Sequence, residues 1–383
     1  MRILFVVGFY PTKYSDWWGS FFHNYAKGLV RLGHEVTVLR VAPQNRNEVK
    51  ERRRLFIRDT EWRDGVRVEI FFFPKVPKLD FLTCWFLKVF QKKVFEEIYQ
   101  GKLPDIAHLH FGEMETSLMA SQWLPQKQIP YVVTEHATSF QYEKISRKTL
   151  RFARRVYQGA KGISVVGQHL MQRLISLYPF QFQLIPNGID SLLFTYEELK
   201  PKNHVDFLSV GSLVKKKNQI TLIRSFAKAF AHRPDYFLTI VGEGPEYDHL
   251  QKEIDHCQLN HQIKLTGALS NLEVREWMRK ADYLVMPSLV ETFGVAALEA
   301  LSCGIPVLAT RSGGPEDFVR PGIDGVVVDK TEDAIVEGLR ELVSGTWDRK
   351  KISQEAHERF DVVKVAQQLE SLYRDALQKG VSR

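Results

Sequence analysis

The sequence predicts an α/β protein made of two doubly wound domains, each a parallel sheet covered by helices on both faces. Three observations predict it. Short apolar runs alternate with helix-spaced segments nearly throughout, the rhythm of consecutive β-α units. The rhythm restarts at residue 205 after one complete series. Between the two series lies a turn-rich stretch without apolar period, residues 186–203, in a chain of 383 residues that is long enough for two domains.

Residues 2–7 form the first apolar run. A positive charge and a short apolar run also open secretory leaders, but this one lacks their length and small-residue cleavage site, so a buried strand is expected. Residues 21–32 have helical spacing and end at Gly33, a helix-stopping glycine. Strands are expected at 35–41, 66–73, 106–109, 131–134 and 162–166, with helical segments around 116–124 and 147–158. The second series has strands at 205–210, 237–241, 263–265, 283–286, 307–309 and 326–328. The loop 11–19 carries Tyr14, Trp17 and Trp18 close after Tyr10, and ends at Gly19, where a helix should open. Loops that long are uncommon unless functional, so it is expected either to cover a ligand or to pack its aromatics under the surface.

Composition is that of a soluble globular protein, 44% hydrophobic and 26% charged. No apolar run approaches the ~20 residues needed to cross a bilayer. Cys84, Cys257 and Cys303 are scattered, with no C-x-x-C, which argues for a reducing compartment and against disulfides or a zinc site. The net charge of +8 is uneven. Residues 1–190 hold 28 Lys and Arg against 17 Asp and Glu, a balance of +11; residues 191–383 hold 25 against 28, a balance of −3. A basic first half favours an anionic partner. Basic clusters stand at Lys50, Arg52, Arg53 and Arg54 and at Arg147, Lys148, Arg151, Arg154 and Arg155. No recognised nucleic-acid-binding motif accompanies them, and no nucleic-acid partner is expected. Residues 79–98 combine Phe81, Trp85, Phe86, Val89, Phe90 and Phe95 with Lys88, Lys92 and Lys93. That pairing suits a helix lying in a membrane surface, or a core helix of the first domain.

The chemistry-bearing residues follow strands. Pro287 to Ala300 joins the strand 283–286 to a helix-forming run from Val295, and two carboxylates frame the junction, Glu291 before the helix and Glu299 within it. A helix N-terminus at a strand's carboxyl end is a ready anion site. Eight residues of helix rise span about 12 Å, the size of a sugar nucleotide, with room for one acid on sugar hydroxyls and the other on ribose; taken alone, the pair also fits a surface helix with two solvated acids. Gly211-Ser212-Leu213-Val214-Lys215-Lys216-Lys217-Asn218 joins another strand to a helix; Gly211 allows close approach, and the lysines suit a diphosphate leaving group or simply a solvated face. Val241-Gly242-Glu243-Gly244-Pro245 has two glycines of the dinucleotide fingerprint, but Tyr247 stands at the third, so an NAD site is rejected. Ser312-Gly313-Gly314 offers consecutive amides for a second wall of a phosphate site. His136 follows the strand 131–134, and His108 and His110 lie near another strand end; lone histidines in such places are commonly structural. Pro186-Asn187-Gly188-Ile189-Asp190 reads as a hinge or turn. There is no P-loop, D-x-D or H-E-x-x-H, so neither an ATPase nor a metal enzyme is indicated.

Taken together, these residues resemble the retaining, nucleotide-sugar-dependent glycosyltransferases of family 4, which have the GT-B fold: two Rossmann-like domains facing each other across a cleft. The resemblance spans nearly the whole chain. It rests on Glu291-x-Phe293-Gly294-x-x-x-x-Glu299, Pro186 to Asp190, Val241 to Pro245, Gly304-Ile305-Pro306-Val307 and Gly313-Gly314, which stand in family order. It implies an acceptor domain of residues 1–188 with a C-terminal helix at about 363–383 (helical run 363–378) crossing back onto it, and a donor domain of residues 189–362. It implies that Glu299 binds ribose, that Glu291 holds the donor sugar, and that the backbone at Phe293, Gly294 and Val295 assists. Lys217 would neutralise the leaving diphosphate, with Gly211, Ser212 and Gly242 lining the donor site. His136 would lie beside the sugar and Gly19 near the phosphates. Two positions depart from the family, which often has Arg at Ser212 and Gly at Asn218; Lys215 or Lys216 would have to replace the missing charge.

The expected activity is transfer of a hexose from a nucleotide sugar, UDP-linked by family precedent, to a glycan or lipid-linked glycan in surface-polysaccharide or glycoconjugate synthesis. Retention by same-face attack and independence of metal ions or other cofactors are expected. The expected place is the cytoplasm, peripheral on the inner, anionic face of the membrane. The motifs also fit two weaker readings: another sugar-active enzyme on this fold, such as a phosphorylase or epimerase, and a non-catalytic nucleotide-sugar-binding module.

Overall fold

In the computed structural model residues 1–14, 19–75, 78–111, 119–230 and 232–381 are described. Trp17, Trp18 and residues 116–118 of the expected helix 116–124 lie outside them. The chain forms two units, Met1–Val166 with Met171–Gly188 and Val362–Arg383, and Gly167–Leu170 with Ile189–Asp361.

The first unit is built on eight strands: β1 (Arg2–Val6), β2 (Glu35–Gln44), β3 (Ile57–Arg63), β4 (Val66–Pro74), β5 (Ile106–His110), β6 (Tyr131–Glu135), β7 (Gly162–Val165) and β8 (Gln183–Leu184). Their order is β3-β4-β2-β1-β5-β6-β7-β8. The centre is parallel, with Phe5 opposite Val38 on one side and His108 on the other. All five residues of β5 are buried, because helices cover both faces. The edge departs from the expected all-parallel pattern: β3 runs antiparallel to β4. The reason is the two-residue turn Asp64-Gly65, with φ of 49° and 79°. Both residues are left-handed, as a tight hairpin requires. The charged residues of β3 keep this edge in water, which is why no apolar run announces it.

The helix Ser20–Arg31 buries Phe22, Tyr25, Ala26 and Leu29, the spacing of one helical face. Gly28 on that helix is crossed by the C-terminal helix Val362–Val381; a Cβ there would stand 2.2 Å from the Val362 carbonyl oxygen. The helix Asp80–Ile98 is apolar on two sides. Leu87, Val94 and Phe95 face the core, whereas Phe81, Trp85 and Val89, at successive i+4 positions, are exposed. Phe95 therefore lies on the core side of this helix, and Phe81 and Trp85 on its exposed side.

The second unit has six strands, β9 (Val205–Val210), β10 (Tyr236–Val241), β11 (Ile263–Leu265), β12 (Tyr283–Met286), β13 (Val307–Thr310) and β14 (Gly325–Val328). The order is β11-β10-β9-β12-β13-β14, and every pairing is parallel. Phe207, Leu222, Phe226, Leu238, Ile240, Ile335 and Leu339 form the core of this unit, each contributing about 1.5–3 kcal/mol by leaving water. The strand order reverses between β9 and β12, so the connections from these two strands lead to opposite edges of the sheet. An open α/β sheet forms its ligand crevice there.

Candidate functional site

The loops at that reversal carry the charged residues. After β9 the chain makes a tight 3-10 turn, Lys215–Lys217, and leaves it through Asn218 at φ 56°. This left-handed position explains the glycine common in the family, and asparagine is among the few other residues that tolerate it. The Asn218 side chain also donates to the Pro287 carbonyl at 3.2 Å, tying the loop after β9 to the loop after β12. The Leu289 amide donates to the Lys216 carbonyl at 2.7 Å, a second tie. The two loops so joined bring Lys217 Nζ into an ion pair with Glu291 Oε1. Ser288 Oγ donates to the same oxygen at 2.8 Å, and Thr310 Oγ1 donates to the Ser288 carbonyl. Glu291 Oε2 is bonded by no described residue, and Lys217 retains further N–H donors. Ser288 and Thr310 were not singled out in the sequence; the only signal was Ser288 three residues before Glu291.

The helix after Glu291 begins at Val295, with Gly294 as its N-cap at φ 99°. A Cβ at Gly294 would lie 2.9 Å from Pro315. Phe293 is buried and stacks on Phe318, with ring centroids 4.8 Å apart, so only its backbone is available to a ligand. Glu299 is 8% exposed and its side chain is hydrogen-bonded by no described residue; burial pushes its carboxyl up to about 8. Burial also lowers the Lys216 ammonium, and neighbouring Lys217 adds to the effect. Ser212 is exposed, and its carbonyl accepts from Gln219 at 3.2 Å.

The glycines divide by role. A Cβ at Gly211 would meet the Lys217 side chain, first at Cε, 3.5 Å away. Gly242 instead packs on the backbone of Gly211, where a Cβ would come within 2.0 Å of its carbonyl oxygen. Gly244 stands in the same relation to Leu213, at 2.3 Å. Gly242 thus supports the Lys217 loop from behind. The Ser312-Gly313-Gly314 amides do not form the expected second phosphate wall. All three donate to the carboxylate of Glu316, at 3.2, 2.8 and 3.2 Å, so the loop supplies its own anion. Gly314 is needed for another reason: a Cβ there would fall 2.5–2.7 Å from the Phe293 backbone.

In the first unit, Gly19 is the N-cap of the helix Ser20–Arg31 at φ 89°. His136 follows β6, held by the Glu135 carboxylate, which accepts from the amides of His136 and Ala137 at 3.0 and 2.9 Å and from the Tyr157 hydroxyl. Phe21 and Phe22, next to Gly19, pack on the His136 ring at 5.2 and 5.1 Å. His110 Nδ1 lies 3.3 Å from His136 Nε2. His108 is structural: its two nitrogens meet the Tyr373 hydroxyl at 2.7 Å and Thr134 Oγ1 at 2.6 Å. Burial holds all three imidazoles below their ordinary range, His108 at about 3. Among the described residues no group of three His, Cys, Asp or Glu is placed to hold a metal ion.

Comparison with known proteins identifies the family. Residues 19–191 match the profile of Glycosyltransferase Family 4, and residues 195–359 that of Glycosyl transferases group 1. The TuaC protein of Bacillus subtilis, assigned to teichuronic acid biosynthesis, is 25% identical over 100% of both chains. The alpha-monoglucosyldiacylglycerol synthase of Acholeplasma laidlawii is 25% identical over 82% of this chain and 81% of its own. Among solved structures, sucrose-phosphate synthase of Thermosynechococcus elongatus has a TM-score of 0.77 at 18% identity, covering 99% of each chain. HepE of Anabaena, solved with UDP and glucose, has a TM-score of 0.74 at 19% identity, covering 98% of this chain and 99% of its own. The two profiles between them take in nearly the whole chain, and the neighbours share its two Rossmann-like units: the protein belongs to glycosyltransferase family 4 and has the GT-B fold.

Proposed function

We propose that the chain is a retaining hexosyltransferase that takes its sugar from a UDP-linked donor, without a metal ion, and passes it to a glycan or lipid-linked glycan in surface-polysaccharide or glycoconjugate synthesis. The observation that carries this reading is the Lys217–Glu291 pair at the strand-order reversal, four residues before a helix N-terminus. Lys217 and the first amides of the helix 295–302 meet the diphosphate and stabilise its charge as it leaves. The free oxygen of Glu291 accepts from sugar hydroxyls. Glu299, buried farther along the helix, takes the ribose hydroxyls. Gly211, Ser212, Gly294 and the Phe293 and Val295 backbone line the donor. Gly19 and His136 serve the phosphates and sugar from the first unit. The acceptor hydroxyl attacks the anomeric carbon on the face the diphosphate leaves, and its proton passes to the departing phosphate oxygen. Glu291 is assigned to binding and not to a covalent intermediate, because the family resemblance places it toward the far hydroxyls of the sugar.

A UDP-linked donor is the family precedent, and HepE, a neighbour in fold, was solved with UDP and glucose. The names of TuaC and the Acholeplasma lipid synthase are in keeping with a glycan or lipid-linked acceptor. Calorimetric titration with UDP, GDP, ADP and their sugar conjugates in EDTA tests the donor. UDP is expected to bind, and Glu299→Ala to weaken it ~10-fold or more, the loss of charge-assisted hydrogen bonds. Glu291→Ala is expected to spare UDP and abolish most turnover. Equal UDP affinity in wild type and Glu299→Ala would overturn the assignment of roles.

We further propose that the first unit works at an anionic membrane face, with the protein cytoplasmic and peripheral. No helix among the described residues is long and apolar enough to cross a membrane. Phe81 and Trp85 are 66% and 56% exposed beside Lys88, Lys92 and Lys93. Exposed Phe56 joins this surface through Phe90, 5.9 Å away, and brings Leu55, Arg53 and Arg54 with it. Exposed aromatics rimmed by cations suit the headgroup region. Cosedimentation with phosphatidylglycerol vesicles at low salt should be strong and should fall in Phe81→Ser/Trp85→Ser; indifference to the vesicles would refute the membrane reading.

A further inference from the structure

We infer that the exposed arginine face of the helix Arg147–Gly159 is a docking surface for the phosphates of anionic lipid headgroups, and that it supplies the charge-dependent part of membrane attachment. The inference rests on the reading of the first unit as one that works at an anionic membrane face. It moves the electrostatic contact away from the lysines of the helix Asp80–Ile98. The positive charge of the first half is concentrated in one stretch: residues 136–189 hold eight Lys and Arg against one acid, Glu143, a balance of +7. Residues 80–98 are balanced, with Lys88, Lys92 and Lys93 against Asp80, Glu96 and Glu97. Two of those lysines are answered within their own helix, Lys92 by Glu96 at 3.9 Å and Lys93 by Glu97 at 4.0 Å. The helix Arg147–Gly159 carries Arg147, Lys148, Arg151, Arg154 and Arg155, all exposed, and no acid. Its four arginines form no ion pair with any described residue.

Folding has no use for this arrangement. Arg147 and Lys148 stand in the first turn, where the helix dipole disfavours cations. Arg147, Arg151 and Arg155 follow one another at i+4, where like charges repel. The helix forms for other reasons: Ser146 caps it, accepting from the Thr149 amide at 3.0 Å, and Ala153, Val156 and Tyr157 are buried. The cations therefore answer something outside the chain. At ~100° per residue their five positions cover an arc of roughly 120°, a broad open face and not a groove for a single strand. Guanidinium groups match phosphate oxygens two bonds at a time.

Topology sets where that face looks. The connections from β4 to β5, β5 to β6 and β6 to β7 all step the same way along the strand order. Right-handed crossovers then put the helix 80–98, the segment 119–126 and the helix 147–159 on one face of the sheet. They touch through the middle segment: Lys92 Nζ lies 5.3 Å from the Trp123 ring, and the turn 119–123 packs on the helix 147–159. Exposed Phe81 and Trp85 thus share a layer with the arginines. Apolar anchors and a cationic face in one layer suit a bilayer better than a dissolved polyanion.

The test is cosedimentation of the full chain with phosphatidylcholine vesicles carrying increasing phosphatidylglycerol, at low and high salt. Wild type should bind more as phosphatidylglycerol rises and less as salt rises; a salt-insensitive wild type would overturn the inference. Each arginine at such a surface contributes roughly a five-fold gain, so Arg147→Gln/Arg151→Gln/Arg155→Gln should bind ~100-fold more weakly and lose most of its response to phosphatidylglycerol and salt. Its urea midpoint should not fall, since only repulsion is removed. The same three changed to Lys keep the charge and should bind nearly as wild type. Phe81→Ser/Trp85→Ser should bind more weakly yet keep the response to both. A Gln variant that binds like wild type would overturn the inference and leave the membrane reading to the aromatic pair. Wild type indifferent to the vesicles would overturn both. Binding to soluble polygalacturonate in place of the vesicles would overturn the lipid assignment and give the face to a dissolved acidic polymer.

Discussion

The two units solve the same problem at their strand ends in opposite ways. The second keeps charge: Lys217 and Glu291 are held together by Asn218, Ser288 and the tied loops after β9 and β12. The first leaves its imidazoles neutral: His108, His110 and His136 sit uncharged among phenylalanines, and the one carboxylate beside them, Glu135, is taken up by backbone amides and the Tyr157 hydroxyl. On the proposed reading Lys217 stabilises a leaving diphosphate, which needs a retained charge, and retaining one away from water needs a partner. A group that must recognise hydroxyls needs only a fixed donor, which a neutral imidazole provides at lower desolvation cost.

The sharpest way to break this contrast is Lys217→Ala. Turnover should fall ~10²–10³-fold, the loss typical of removing one charge-stabilising donor. His136→Ala should cost less, and comparable kcat in Lys217→Ala and wild type would show that the charge is not used. A smaller effect is expected from Gly314→Ala, whose added methyl must displace the Phe293 backbone beside the pair. It should destabilise by about 2 kcal/mol, within the range for overpacking, seen as a lower midpoint in urea; an unchanged midpoint would mean that this loop yields freely.

The smallest effect sharpens the contrast in pH. The unfolded chain takes up protons on its histidines below about 6.5, but folded His108 resists to about 3, with His110 and His136 also depressed. Acid therefore favours unfolding, and the first unit should lose stability as pH falls from 6.5 towards 3. Glu299 has the opposite sign. Unfolded, its carboxyl loses the proton near 4.5; folded, it keeps it to about 8. Its contribution is lost as pH rises through that window. Urea midpoints of wild type and Glu299→Gln across pH 5–8 should converge at the acid end; parallel curves would contradict the raised carboxyl.

Much of the fold was legible because buried parallel strands leave apolar runs and helices leave a 3.6-residue period. The strands and the reversal-point loops therefore stood near their expected places. What stayed hidden was carried by polar residues. The hairpin edge β3 has too few buried positions to leave a run, although Asp64-Gly65 was a turn signal. The segment 312–316 looked like an open row of amides, yet Glu316, three or four residues on, fills it.

Sequence alone determined the α/β class, the repeat of the β-α series and the order of the motifs, since these depend on local periodicity and on residue types fixed by backbone shape. Tertiary structure decided the partners: that Glu291 meets Lys217 from 74 residues away, that Phe95 faces the core while Phe81 faces water, and that His110 reaches His136. The reason is physical. A pattern says which side of an element avoids water, but the energy of a polar group depends on what stands opposite it, and that is set only when distant segments close on one another.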